Sequence, residues 1–206
     1  SVVVLSACVL GWTVTASAAT LTVNAGGDLQ AAIDAAKPGD TILLQAGATF
    51  AGSFKLPAKG GTAYITIRSS TPDSQLPPPG TRITPTQAPL LAKIKTTTGT
   101  AIRTAAGANY WRLQFLEIAP GNATASVTLI EFGIADAGQS TLSSVPHHLI
   151  LDRSYVHGDP SFGARRGIAL NSGDAQVIDS WISDIKLVAT DTQAIAVTVT
   201  PVNDNA

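Results

Sequence analysis

The sequence predicts an all-β solenoid closed at its N-terminal end by a short capping helix, and three observations carry that prediction. Leu151-Asp152-Arg153-Ser154-Tyr155-Val156-His157 lies over Val177-Ile178-Asp179-Ser180-Trp181-Ile182-Ser183 at an offset of 26 residues. Aliphatic meets aliphatic, Ser meets Ser and aromatic meets aromatic, as expected of one coil stacked on the next. Short β-rich runs separated by turns fill the chain with no helix-length pattern between them, which argues against a doubly wound α/β fold. One two-turn amphipathic pattern precedes those runs, where an open solenoid end would need a cover. A β-sandwich would supply strands and turns but no internal copy.

The elements follow in order. Ser1 to Ala18 reads as an export signal that has lost its basic start: an apolar run from Val2 to Leu10, then Ala16-Ser17-Ala18 as a small-x-small cleavage site. Leu5-Ser6-Ala7-Cys8 offers a second export reading, a lipobox with Cys8 lipidated. Asn24-Ala25-Gly26-Gly27 is a turn and Asp28 is placed to cap a helix. Leu29, Ala32, Ile33 and Ala36 then recur at helical spacing, and Lys37-Pro38-Gly39-Asp40 ends the pattern. Strands are expected at Thr41–Leu44, Ala63–Ile67, Ala101–Thr104, Tyr110–Ile118, Val127–Phe132, Leu149–Leu151, Gly167–Leu170 and Gln176–Ile178. Thr71 to Thr86 carries five prolines and cannot be ladder, and Gly133 to Pro146 is a second polar excursion.

Composition narrows the function. The chain has 206 residues, enough for one sizeable domain, and no Met at any position, so it is read as a fragment. With 13% charged residues and a net charge of -1, nothing favours a nucleic-acid backbone or an anionic membrane as partner, and no membrane span is expected. Cys8 is the single cysteine and would leave with the signal, so neither a disulfide nor a thiolate metal site is expected.

Gly27 through Ile42, with the helix pattern at its centre, resembles the N-terminal cap and first strand of right-handed parallel β-helix proteins of the pectate-lyase-like superfamily. His148-Leu149-Ile150-Leu151-Asp152-Arg153, then Arg166-Gly167-Ile168-Ala169-Leu170 and Val177-Ile178-Asp179-Ser180, are similar to internal coils of its secreted bacterial members. The resemblance implies residues 19–195 as an incomplete β-helix after a signal at 1–18. Residues 196–206, ending Pro201-Val202-Asn203-Asp204-Asn205-Ala206, resemble the closing strand and linker of a bacterial cadherin-like repeat.

The resemblance implies a monomeric protein, secreted or at the cell surface, that acts on a polysaccharide, as a lyase on acidic glycans. β-Elimination needs a neutralised carboxylate, a base and an acid. Arg166, His157 and Asp179 are the catalytic candidates it implies, with Tyr155, Arg153, Arg165 and Lys186 contacting substrate. Asp152, Asp159 and Asp184 would supply oxygens to Ca²⁺. The motifs depart from the pattern: Val177-Ile178-Asp179-Ser180 has Val and Ser where pectate lyases carry Trp and His, and no Arg-x-Pro-x-x-Arg is present. His157-Gly158-Asp159 and Asp184-Ile185-Lys186 are distant from the Gly-His-Gly and Arg-Ile-Lys of polygalacturonase-type hydrolases. The fold also serves non-catalytic surface and adhesion proteins, so a glycan-binding module is the alternative. Each residue has an ordinary structural reading beside its chemical one. His157-Gly158-Asp159-Pro160 is a turn signal, Asp152 and Asp179 suit corners, and Tyr155 and Trp181 suit an internal stack.

Overall fold

Alternation of buried and exposed residues turns most of these runs into strands, and the strands wind into a parallel β-helix. The computed structural model describes residues 17–122, 127–134, 137–186 and 192–196; the residues read as an export signal and lipobox, all but Ser17 and Ala18, and those read as a cadherin-like tail, all but Ala196, lie outside them. Sixteen strands are described: β1 (Thr20–Val23), β2 (Thr41–Leu44), β3 (Thr49–Ala51), β4 (Phe54–Leu56), β5 (Ile65–Ser69), β6 (Ala92–Thr96), β7 (Thr100–Thr104) and β8 (Asn109–Gln114), then β9 (Leu116–Pro120), β10 (Thr128–Phe132), β11 (His147–Asp152), β12 (Tyr155–His157), β13 (Arg166–Leu170), β14 (Ala175–Ile178), β15 (Trp181–Ser183) and β16 (Gln193–Ala196). They form three sheets, ordered β1-β2-β5-β8-β11-β14, β3-β6-β9-β12-β15 and β4-β7-β10-β13-β16. From β2 onward each coil contributes one strand to each sheet, β1 adds a sixth to the first, and all strand pairings among the described residues are parallel.

One aliphatic or aromatic column runs inward from each sheet. The first sheet stacks Ile42, Ile67, Leu113, Leu151 and Val177. The second stacks Phe50, Ile94, Ile118, Val156 and Ile182, and the third Phe54, Ile102, Ile130, Ile168 and Ile195. Ile94, Ile118, Val156, Ile102, Ile130 and Ile168 are all buried. β-Branched side chains with restricted χ1 suit such a stack, because each rung meets the same shape above and below it. The 26-residue offset is realised in register, Leu151 on Val177 and Tyr155 on Trp181.

The cap is helix α1 (Leu29–Ala35), which Asp28 opens by accepting from the Ala31 N–H at 2.9 Å. Leu29, Ile33 and Ala36 are buried at the end of the stack. The Gln30 amide lies against β4, the edge strand of the third sheet: it donates to the Lys55 carbonyl at 3.0 Å and accepts from the Lys55 N–H at 2.8 Å. Those are the two bonds a further strand would make, so a side chain blunts the sheet edge. The ladder begins at β1, ahead of the helix, whereas the sequence pattern started it at Thr41. β3 and β4, at three residues each, are too short to register as strands by pattern, and β6 was not among the expected strands.

The expected single strand from Tyr110 to Ile118 is two. Phe115 adopts φ 53° between β8 and β9 and turns the chain from the first sheet into the second. Arg153 (φ 40°) and Asp179 (φ 47°) turn the next two coils at the same corner. Serine follows in both repeat copies for a physical reason. Ser154 Oγ donates to the Asp152 carbonyl at 3.1 Å and accepts from the Leu116 N–H at 3.2 Å. Ser180 Oγ repeats this one coil on, donating to the Ile178 carbonyl and accepting from the Ser154 N–H. The hydroxyl closes its own turn and satisfies a backbone donor that the bend would orphan.

The proline-rich segment between β5 and β6 is a strap lying over this corner. Leu76, Ile83 and Leu91 bury against Phe115, with Tyr155 and Trp181 packed on them, to form a second small core outside the coil. Arg153 Nη1 donates to the Pro77 carbonyl at 2.9 Å, Gly80 N–H to Asp179 Oδ2 at 2.7 Å, and Ile83 N–H to the Asp179 carbonyl at 2.9 Å.

Candidate functional site on the outer face of the second sheet

With Ile94, Ile118 and Val156 pointing inward, the alternate residues of β6, β9 and β12 must point out. One outward row runs Thr49, Lys93, Glu117, Tyr155, Trp181. The next pairs Ala51 with Lys95, Lys95 with Ala119, and His157 with Ser183. Chemistry-bearing side chains from three coils thus meet on one surface.

Glu117 is their centre. Its side chain is only 8% exposed; Lys93 Nζ pairs with Oε2, and His157 Nε2 stands 3.4 Å from Oε1. Burial alone would raise the Glu117 carboxyl, but the bonds from His157 and Lys93 outweigh it and hold the group below the ordinary carboxylate range. His157 Nδ1 is 2.8 Å from the Gly158 carbonyl, so both ring nitrogens face oxygen acceptors. The Tyr155 ring stacks on His157 with centroids 4.2 Å apart. Lys93 also donates to the Ala88 carbonyl at 3.0 Å, tying the end of the strap to this face.

Lys95 is half-buried, and its side chain makes no hydrogen bond or ion pair among the described residues. It borders a cleft of about 230 Å³ that Thr49, Ser53, Thr96, Thr97 and Thr98 also line. Neutral hydroxyls beside an unpaired ammonium suit a hydroxylated ligand bearing negative charge.

The residues singled out in the sequence fall into separate groups. His157 is on this face. Tyr155 is beside it, half-buried and packed between His157 and the small core under the strap. Arg153 and Asp179 sit at the corner and hold the strap. Arg153 Cζ also lies 4.5 Å from the Phe115 ring centroid. Asp152 is buried and taken up by its neighbours: Arg153 Nε at 2.8 Å, Arg153 Nη2 at 2.9 Å, Gln114 Nε2 at 2.8 Å and Arg112 Nη2 at 3.2 Å. Burial would raise its carboxyl, and these donors, Arg153 first, lower it instead. Arg166 belongs to the third sheet, where its Nε donates to Gln193 Oε1 at 3.2 Å. Arg165 and Lys186 are exposed. Asp159 caps its own turn, and Asp184 Oδ2 accepts from Ser183 Oγ at 3.1 Å.

The fold therefore does not gather Arg166 with His157 and Asp179. Nor do Asp152, Asp159 and Asp184 fit a shared Ca²⁺ site, since no three His, Cys, Asp or Glu side chains converge on one point among the described residues. The pattern reading missed Lys93, Lys95 and Glu117. A signal was present: Ala92-Lys93-Ile94-Lys95-Thr96 alternates like a half-buried strand, and Glu117 interrupts an otherwise apolar run.

Fold and face together define a parallel β-helix protein with a charged, hydroxyl-rimmed surface on one sheet. No family model matches the chain, and no curated protein matches it. Among solved structures it is similar to the alginate lyase from Paenibacillus sp. str. FPU-7, at 20% identity and a TM-score of 0.43, over 77% of this chain and 57% of that one. No helix among the described residues is long and apolar enough to cross a membrane.

Proposed function

We propose that the protein is exported and acts on an acidic polysaccharide, lyase-like, along the outer face of the second sheet. The observation that supports this reading is the in-register row Lys93, Glu117 and Tyr155 on three successive coils, with Lys95 and His157 each two residues further along the first and last of those strands. Neighbouring strands are about 4.8 Å apart, so such a row extends along the solenoid as an extended polymer would. Lys95 is the cation free to meet a uronate carboxylate. His157, held between Glu117 and the Gly158 carbonyl, is the group able to deliver or receive a proton.

A second reading, a non-catalytic glycan-binding or adhesion module, draws on a different observation. Glu117 and Asp152 are both saturated by neighbouring cations, and a saturated network makes a rigid surface more readily than a proton relay. One experiment separates the two. The full chain is incubated with a panel of polyuronates, and the unsaturated-uronide chromophore is followed in the ultraviolet alongside direct binding. Product formation that His157→Ala abolishes, with binding retained, supports the lyase. Binding without product, unchanged by His157→Ala, supports the module, and absence of both removes the glycan reading.

A further inference from the structure

Beside His157 the chain leaves β12 and makes a hairpin that neither the fold nor the ion-pair network requires. Asp159 and Gly163 exchange both backbone bonds, at 3.0 and 2.7 Å, and Asp159 Oδ1 accepts from the N–H groups of Ser161 (2.8 Å) and Phe162 (2.9 Å). The base is wedged in place. Gly163 adopts φ 79°, and a Cβ there would sit 1.6 Å from the Lys186 carbonyl oxygen. At the tip, Phe162 is 54% exposed. A large apolar ring presented to water from a hydrogen-bonded hairpin is unfavourable for solubility, and the bonds that fix that backbone contribute nothing to a core. Cations border the hairpin: Lys186 lies against its Gly163 base, Arg165 follows that base by two residues in the chain, and both are exposed with no side-chain bond among the described residues.

We infer that this hairpin is a preformed aromatic finger: Phe162 stacks on the apolar face of a sugar ring, while Lys186 and Arg165 receive the carboxylate of the same acidic glycan. The inference rests on the reading of the second-sheet face given above and names its substrate-gripping element. A protein partner is disfavoured because stable protein interfaces bury on the order of 800 Å² per side with an apolar centre, whereas Phe162 stands amid Asp159, Pro160 and Ser161. A rigid finger has little conformational freedom left to lose on binding, which is what favours a weak stacking contact.

The test uses the full chain and measures affinity for soluble alginate and polygalacturonate, with dextran as the uncharged control. Phe162→Ala is expected to weaken polyuronate binding roughly three- to tenfold, the range of a single aromatic contact, with an unchanged thermal midpoint, and Phe162→Trp to retain it. Asp159→Ala is expected to weaken binding too, while Asp159→Asn, whose amide oxygen still accepts the two N–H bonds, restores it. If wild type binds and Phe162→Ala binds equally well, the finger is overturned and the face stands. If wild type binds neither polyuronate, the face reading fails and takes the finger with it. If Phe162→Ala alters only self-association in sedimentation, the ring serves a protein contact and the inference is overturned.

Discussion

Asp152 shows how one carboxylate can organise a corner. Four nitrogen contacts from three side chains converge on it while it is almost fully buried. Its charge is sustained by those donors, and theirs by it: Arg153 is raised, chiefly by the Asp152 bond. Removing one member of such a buried group leaves the other uncompensated, a loss of about 3–5 kcal/mol. Asp152→Ala is therefore expected to lower the unfolding free energy by that amount at neutral pH, read from urea denaturation. The pH dependence follows from the direction of the shifts. Asp152 and Glu117 both sit below the ordinary range when folded, so the unfolded chain binds their protons first as pH falls. Their contribution is complete above the unfolded carboxylate value near ~4 and is lost as pH drops through the lower folded values. Wild-type stability should fall steeply in that acid window, and the double variant Glu117→Gln/Asp152→Asn should show a flatter profile. Urea titrations at a series of pH values check this, and parallel profiles would refute it.

Among the elements, the strap is the least regular and the most consequential. It leaves the first sheet after Ser69 and returns to the second at Ala92, and on the way Gly80 and Ile83 bond to Asp179, 99 residues from Gly80 in sequence. Asp179 does this from the left-handed region, which Asp and Asn tolerate better than other non-glycine residues. Asp179→Asn is expected to be nearly neutral, since its amide oxygen still accepts from Gly80. Asp179→Ala loses that bond and gains backbone strain, at a cost of about 1–3 kcal/mol. Chemical denaturation of the two variants side by side measures the difference, and equal midpoints would show that the side chain does not hold the strap.

Over the whole molecule, a pure solenoid is nearly one-dimensional: each coil touches its neighbours and end coils open first. This one is cross-linked along its length, because the strap leaves one coil and closes on Asp179 three coils away. Trp181→Ala, which removes the ring packed beneath the strap, should therefore accelerate amide hydrogen exchange at Gly80 and Ile83 as well as in β14. Faster exchange in β14 alone would mean that the coils open independently.

How much of this was legible in the chain depends on the distance between partners. The repeat from Leu151 to Ser183 was readable because its two coils follow with no insertion, so equivalent residues recur at 26. The same column advances 46 residues from Ile67 to Leu113 and 38 from Leu113 to Leu151, and loops of unequal length hide the period. β3 and β4 were invisible because three residues cannot display alternation. The corner at Phe115 was invisible because its neighbours on both sides are strand formers, and a single positive φ leaves no mark on composition.

What the sequence determined by itself is the coaxial β stack with its helical cap, since alternation, turn residues and one intact repeat are local properties that each segment carries. What only the tertiary structure decided is which side chains meet. Lys93, Glu117 and His157 come from three coils, and Asp179 finds Gly80 across three. Stacking at a fixed strand spacing turns large and irregular sequence separations into contact, and no local pattern records that distance.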